Sequence, residues 1–307
     1  MKIKTSAIVY GIRYIRRFGL RTLIIRIIEK KREKDSEYQS FYLETKASLE
    51  QLEKQRMEVS HWNKKEKISI VTPLYHTPAI FLRELIESVL ESSYENWQLC
   101  FADATQDGDE NQIENIVKEY QKMDEKLTGK KSRICYKKLS QNYGIAENTN
   151  QALAMAEGDY IAFLDHDDII TPDALYEMAL AAKCAKKTGK EANMFYSDDF
   201  NQDLLNSNNY ITHFLMVSRE LLDQVGGINK EYDGAQDYDF ILRCTELADN
   251  VIHIPKVLYH WRVHERSTAA GAGSKDYAID AGKCAIESHL QRMGENGKVV
   301  VTPYFGF

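Results

Sequence analysis

The sequence predicts an α/β protein: a Rossmann-like, mostly parallel central sheet flanked by helices, with an N-terminal helical extension. Three observations carry that expectation. From Lys67 onward, short apolar runs of strand type alternate with segments of helical period, the pattern of a doubly wound sheet. Two of the runs, Trp97–Ala102 and Tyr160–Leu164, break off at aspartates, as strands do where they leave a core for a cleft. Residues 1–66 are instead densely charged, without strand alternation.

The extension divides in two. Between Ile8 and Ile28, arginines recur every three to five residues among aliphatics, which suits an amphipathic helix with a basic face. Residues 1–34 hold eleven Lys or Arg against Glu29 and Glu33. Such a helix lies on an anionic membrane surface, or packs on its own domain or a second copy with its arginines in water. It lacks the charge-free core and small-residue cleavage site of a signal peptide. Residues 29–66, with Leu43, Leu49 and Leu52 at helical spacing, read as a helical spacer.

In the domain itself, Ile68–Pro73 is a strand stopped by proline and Phe81–Leu90 a helix with Leu82, Leu85, Ile86 and Val89 on one face. Trp97–Ala102 is the next strand, Ile113–Tyr120 a helix and Ile134–Tyr136 a third strand. Ala146–Ala156 is a helix closed by Gly158, followed by strand Tyr160–Leu164 and a helix start with Thr171 as N-cap and Pro172 behind it. Asn193–Tyr196 repeats the theme of an apolar strand ending in acids, Asp198 and Asp199. Leu221–Val225 is a helix stopped by Gly226 and Gly227, and Asp237 opens another. Val251–Ile254, Val257–Trp261 and Val299–Val301 have strand composition.

Composition narrows the function classes. A chain of 307 residues, 43% hydrophobic, buries a full core, and its net charge of −6 argues against a general nucleic-acid binder. The five cysteines are scattered without zinc spacing, which fits reduced thiols. No apolar run is long enough for a transmembrane helix.

The run Ile161–Asp168 is the most informative. Burying the carboxylates of Asp165, Asp167 and Asp168 together is prohibitive without a cation, so they belong at a cleft. Their oxygens suit Mg²⁺ or Mn²⁺, ions that commonly carry a phosphate. The bland alternative is an acidic loop in water. Asp-x-Asp recurs at Asp107/Asp109 and Asp237/Asp239, but without a strand leading in.

Taken in order, SIVTPLYHTP (69–78), NYGIAENTNQAL (142–153), GDYIAFLDHDD (158–168), FYSDD (195–199), GG (226–227), GAQDYDFILR (234–243) and IPKVLYHWRVHERSTA (254–269) resemble the family 2 glycosyltransferases, which have the GT-A fold. The chain is similar to the bacterial branch that builds surface polysaccharides and glycoprotein glycans. The resemblance implies a GT-A domain over 67–307, with a nucleotide half (67–168) and an acceptor half (169–307). It implies that Thr72, Pro73 and Tyr75 cradle the nucleotide and that Asp103 binds base and ribose, although the usual Asp-Asp-x-Ser is shortened here to Asp103-Ala104-Thr105. Asn142, Gly144 and Asn148 match the segment before the metal loop, and Asp165 and Asp167 match the metal motif, with Asp165 also on the nucleotide side. Either His260 or His264 supplies the late histidine to metal or diphosphate, with Arg262 as a charge-paired donor. Asp237 matches the catalytic base. Asp198, Asp199, Gly226, Gly227, Gln236 and Asp239 fall on the acceptor side.

The implied chemistry is inverting transfer from a UDP-sugar, or a dTDP-sugar, to a lipid-linked or protein-linked glycan, with Mn²⁺ or Mg²⁺ as cofactor, at the cytoplasmic face of the membrane. These residue types suit it: cation-bound acids stabilise a departing diphosphate, and a base on the opposite face takes the acceptor's proton. Each has a plainer alternative. Asp237 also suits a helix N-cap, Asp198/Asp199 a solvated strand end, His260 a core histidine and Gly226-Gly227 a helix terminus. His213 and His253 read as structural. Two other classes stand beside the transferase: an Asp-x-Asp phosphatase, which wants its pair on the first strand, and a non-catalytic membrane-bound assembly partner.

Overall fold

The computed structural model describes residues 46–106, 110–187, 192–196, 202–211, 213–262 and 276–300. Strand β1 (Ile68–Leu74) lies inside the sheet, parallel to β2 (Trp97–Asp103) on one side and to β4 (Tyr160–Phe163) on the other. β3 (Ile134–Lys138) extends the parallel set beyond β2. Beyond β4 the direction reverses. β7 (Met216–Ser218) is antiparallel to β4 and to β6 (Met194–Tyr196), and β8 (Val251–His253) runs parallel to β6. The order among the described residues is β3-β2-β1-β4-β7-β6-β8. A separate two-stranded ribbon pairs β5 (Ile169–Ile170) with β9 (Tyr259–His260).

Helices cover both faces, which is why the parallel strands read as almost unbroken apolar runs. On one face, Ile68 and Ile70 of β1 and Leu99 and Phe101 of β2 meet α2 (Ala79–Leu90) and α3 (Glu110–Thr128) through Leu82, Leu85, Ile86, Ile116, Val117 and Tyr120. α5 (Ala174–Lys187) joins them through Leu175 and Met178. The alternate side chains, Val71, Ala102, Ile161 and Val217, face α4 (Ile145–Leu153), α7 (Arg219–Val225), α8 (Gln236–Leu247) and α9 (Asp276–Arg292).

The extension enters the description at residue 46; its basic amphipathic stretch and Leu43 lie outside the described residues. The remainder is docked rather than free. α1 (Leu49–Ser60) opens with a capping box in which Ser48 and Gln51 each accept the other's backbone N–H. Val59 and Trp62 then enter the main core, with the Trp62 indole stacked on Tyr176 at 5.9 Å.

Several boundaries differ from the sequence expectation. α4 ends at Leu153, and Gly158 lies in the bend just before β4 instead of closing the helix. A Cβ on Gly158 would stand 2.6 Å from the Lys67 carbonyl oxygen, so its glycine serves close strand approach. α5 opens at Ala174, because Thr171 donates its hydroxyl to Asp173 and leaves no cap two residues earlier. Val299 and Val300 form no strand, and Val301 lies outside the described residues. A short helix, α6 (Gln202–Leu205), follows β6.

Candidate active site

The connections from β1 leave toward β2 on one side while β4 pairs on the other, so the carboxyl ends of β1 and β4 frame the crevice at a switch in strand order. In register, Val71 faces Phe163, which brings Leu74 and the chain after Leu164 to one edge. Leu164 is buried, and the chain then emerges at Asp165, whose side chain is 54% exposed.

The acids converge there. Crowding by surrounding protein, then the neighbouring charges of Asp167 and Asp237, push the Asp165 carboxyl up to about 7. Asp237, seventy-two residues further along the chain, therefore faces the same cleft as the acidic loop. Asp168 turns inward and is fully buried. Its Oδ2 accepts the Tyr259 hydroxyl at 2.6 Å and its Oδ1 the Arg262 N–H at 2.6 Å, while burial lifts it to about 6. The Tyr259 oxygen also accepts the Asp165 N–H at 3.3 Å. His213 stacks on the Tyr259 ring and brings Nε2 to 3.7 Å from Asp165 Oδ2.

These groups fit a divalent cation. Ligand atoms of Asp165, Asp168 and His213 all lie within 4.8 Å of one another. Carboxylate oxygens with an imidazole nitrogen suit Mn²⁺ and Mg²⁺, and a cation would relieve the repulsion that raises Asp165. The sequence pair was Asp165 with Asp167; the structure adds His213, which sequence alone gave as structural. His260 sits half-buried on β9, with its pKa lowered by burial. His264 lies outside the described residues. Arg262, expected on the diphosphate, is committed elsewhere: it pairs with Glu84, lies 4.3 Å over the Phe81 ring and donates Nε–H to the Asp167 carbonyl at 2.7 Å. It braces the acidic loop.

On the expected nucleotide side, Tyr75 is exposed and Pro73 half-buried, whereas Thr72 is fully buried with no partner for its hydroxyl among the described residues. Asp103 is fully buried and occupied. Its carboxylate accepts the Thr105 N–H at 3.0 Å, the Tyr136 hydroxyl at 2.7 Å and Lys138 Nζ at 3.1 Å. A nucleotide contact has no exposed atom on Thr72 or Asp103 in this arrangement. Asn148 is likewise enclosed, its amide joined to Asn142 Oδ1 at 2.8 Å and to the Tyr143 N–H at 3.1 Å, while Asn142 is exposed. Gly144 has φ of +96°, and a Cβ there would stand 2.8 Å from Asp233 Oδ2. The opposite oxygen, Asp233 Oδ1, accepts the Ala146 N–H, so Asp233 caps α4 from another part of the chain.

On the expected acceptor side, Asp237 stands in the first turn of α8, where its Oδ2 accepts Asn209 Nδ2 at 2.9 Å. Gln236 Oε1 accepts the Gly234 N–H at 2.8 Å. Asp239 is fully buried against Arg243, with N···O of 2.8 Å, which removes it from any acceptor. Arg243 in turn holds the carbonyls of Val225 and Gly227. Gly226, at φ +80°, ends α7, and a Cβ on Gly227 would stand 2.6 Å from Asn150 Oδ1; both glycines are exposed. Asp198 and Asp199 lie outside the described residues.

Comparison with known proteins decides the kinship. The family described as glycosyl transferase family 2 matches residues 69–189, a span that runs from the second residue of β1 through β4 and the acidic loop. The chain carries a family 2 glycosyltransferase segment. It is 32% identical to the O-antigen biosynthesis protein RfbC of Myxococcus xanthus over 254 residues, 78% of this chain and 19% of that protein. The GT-A fold is shared with S. aureus TarS in complex with UDP-GlcNAc (TM-score 0.56, 17% identity, covering 73% of this chain and 66% of that one). It is shared equally with the Pyrobaculum calidifontis mannosyltransferase PcManGT in complex with GDP-Man and Mn²⁺ (TM-score 0.56, 16% identity, 81% and 72%). The chain spans 27% and 19% of the length of two curated relatives it matches.

Three residues of this family 2 site escaped sequence reasoning. Asp168 was visible as the third acid of the loop, but its inward turn follows from the Tyr259 hydrogen bond. His213 and Asn209 carry no local signal; only the fold brings their shared segment against Asp165 and Asp237.

Proposed function

We propose that this domain transfers a glycosyl group, with inversion, from a nucleoside-diphosphate sugar to a hydroxyl of a glycan acceptor in bacterial cell-surface polysaccharide or glycoprotein assembly. The observation that carries the proposal is the convergence of Asp165, Asp167 and Asp237 at the carboxyl edge of the parallel strands. The name of RfbC supports the polysaccharide context, and the UDP-GlcNAc and GDP-Man complexes of the two fold relatives support a nucleotide-sugar donor. A UDP-sugar is the first choice.

Asp165 and Asp167, with His213 beside Asp165 and His260 or His264 as a further ligand, would hold Mn²⁺ or Mg²⁺. A divalent cation bound there supplies Lewis-acid stabilisation of the charge growing on the leaving diphosphate. Asp237 acts on the other partner. Its place in the first turn of α8 favours a negative side chain, and it takes the proton of the acceptor hydroxyl. The new C–O bond forms on the face of the anomeric carbon opposite the breaking bond to the diphosphate oxygen, which inverts the configuration. Residues 67–168 then serve the nucleotide and 169–307 the acceptor, while the basic N-terminal stretch attaches the protein to the inner face of the membrane.

Calorimetric titration with UDP, with and without Mn²⁺, followed by a panel of nucleotide sugars scored for UDP release, tests this. Mn²⁺-dependent UDP binding and turnover lost in Asp237→Asn are expected; absence of any Mn²⁺-dependent binding of a nucleoside diphosphate overturns it. For the attachment, deleting residues 1–34 shifts the protein from membrane pellet to supernatant, and an unchanged pellet fraction refutes it.

A further inference from the structure

We propose that Asn209 is a positioning residue for Asp237, holding the carboxylate through its side-chain amide so that the other oxygen is left to receive the acceptor's proton. The proposal rests on Asp237 acting as the base. Asn209 Nδ2 donates to Asp237 Oδ2 at 2.9 Å. A carboxylate only accepts, so the NH₂ end of the amide must face it and Oδ1 must point away. That oxygen is buried and has no partner among the described residues. A side chain present only to fill space would do so without a buried acceptor lacking a donor.

The neighbours of Asp237 on its own helix are turned elsewhere. Gln236 accepts from the Gly234 N–H, and Asp239 is buried against Arg243. The hold comes instead from the segment between α6 and β7. Four residues further along that segment, His213 approaches Asp165 at 3.7 Å. One short stretch of chain therefore touches both the cation-side acid and the proposed base, and fixes one relative to the other. A carboxylate held in one rotamer with one oxygen occupied is arranged for proton transfer before substrate arrives, and misplacement by about 1 Å costs a base about 100-fold in rate.

The test uses the full chain with Mn²⁺ and measures UDP release from UDP-glucose, UDP-galactose and UDP-N-acetylglucosamine, with water as acceptor, taking the donor the wild type turns over fastest. Asn209→Ala removes the amide. Asn209→Asp keeps its shape but loses the N–H donor and adds a charge. Both are expected to lower kcat by about 10–100-fold while Mn²⁺-dependent UDP affinity, read by calorimetry, stays at the wild-type value. Asn209→Ala placed in Asp237→Asn is expected to cost nothing further, because the residue acts through Asp237. An Asn209→Asp variant with wild-type kcat overturns the proposal. So does an Asn209→Ala variant that loses UDP affinity and kcat in step, or losses that add in the double variant. An Asp237→Asn variant as fast as wild type overturns the assignment of Asp237 itself and is recognised separately.

Discussion

The rings of His213 and Tyr259 lie face to face, 4.5 Å between centroids and 13° from parallel. Through that stack, the segment leading into β7 is tied to β9, and the Tyr259 hydroxyl ties both to the acidic loop by donating to Asp168 and accepting from the Asp165 N–H. Three stretches far apart in sequence thus share one aromatic post, and the loop that would grip a cation is held from behind.

Removing that hydroxyl tests the post. Tyr259→Phe keeps the ring on His213 but leaves the buried Asp168 carboxylate short of a donor. A loss of about 1–3 kcal/mol in unfolding free energy is expected, read as a lower urea midpoint with unchanged slope.

Asp165 makes stability depend on pH in an unusual direction. Its carboxyl is raised to about 7, so the folded chain binds this proton more tightly than the unfolded chain. Its contribution is therefore full below the ordinary carboxylate range and is lost as pH rises through about 7. Without added metal, Asp165→Asn is expected to melt close to wild type near pH 3 and above it near pH 8. Mn²⁺ at the higher pH should raise the wild type and leave the variant unmoved. Thermal melts at both pH values, with and without Mn²⁺, check the sign.

Gly144 is expected to tolerate no side chain. Gly144→Ala forces a Cβ against Asp233 Oδ2 at a backbone φ of +96°. Strain of about 1–3 kcal/mol follows, together with loss of the Asp233 cap on α4, and both appear as a lower thermal midpoint.

Cys100 and Cys135 face each other across β2 and β3. The hydrogen bond from Cys100, with the Gln98 amide 3.2 Å from the Cys135 sulfur, pushes the partly exposed Cys135 thiol down to about 6, while its buried partner is pushed up. Near neutral pH, iodoacetamide is expected to alkylate Cys135 well before Cys100 or the buried Cys244, as peptide mapping by mass spectrometry would show.

Much of the parallel half was legible in sequence, because a strand buried on both faces announces itself as an apolar run and its end as a sudden acid. Ile68–Pro73, Trp97–Ala102 and Tyr160–Leu164 appear as β1, β2 and β4 with ends within two residues. The antiparallel half was harder. β6, β7 and β9 are three residues or fewer, and β7 carries no signal separating it from the start of α7. In the site, residue types were legible and their directions were not. Asp103, Asn148, Asp239 and Arg262 have the charge or hydrogen-bonding capacity expected of ligand contacts, yet each is turned into the protein: Asp103 and Arg262 by partners distant in sequence, Lys138 and Glu84, and Asn148 and Asp239 by nearby ones, Asn142 and Arg243. Sequence spacing shows which polar groups are present; packing decides which of them face the cleft.

The docking of α1 reaches beyond the core it completes. With Trp62 wedged between Tyr94 and Tyr176, and Gln55 hydrogen-bonded to Ser93 at 2.6 Å, the helix is a rigid handle on the catalytic body. Anything that pulls on or anchors the chain ahead of Ser48 transmits its orientation through that handle. A surface that captured the N-terminal stretch would thereby set the angle at which the cleft meets its acceptor.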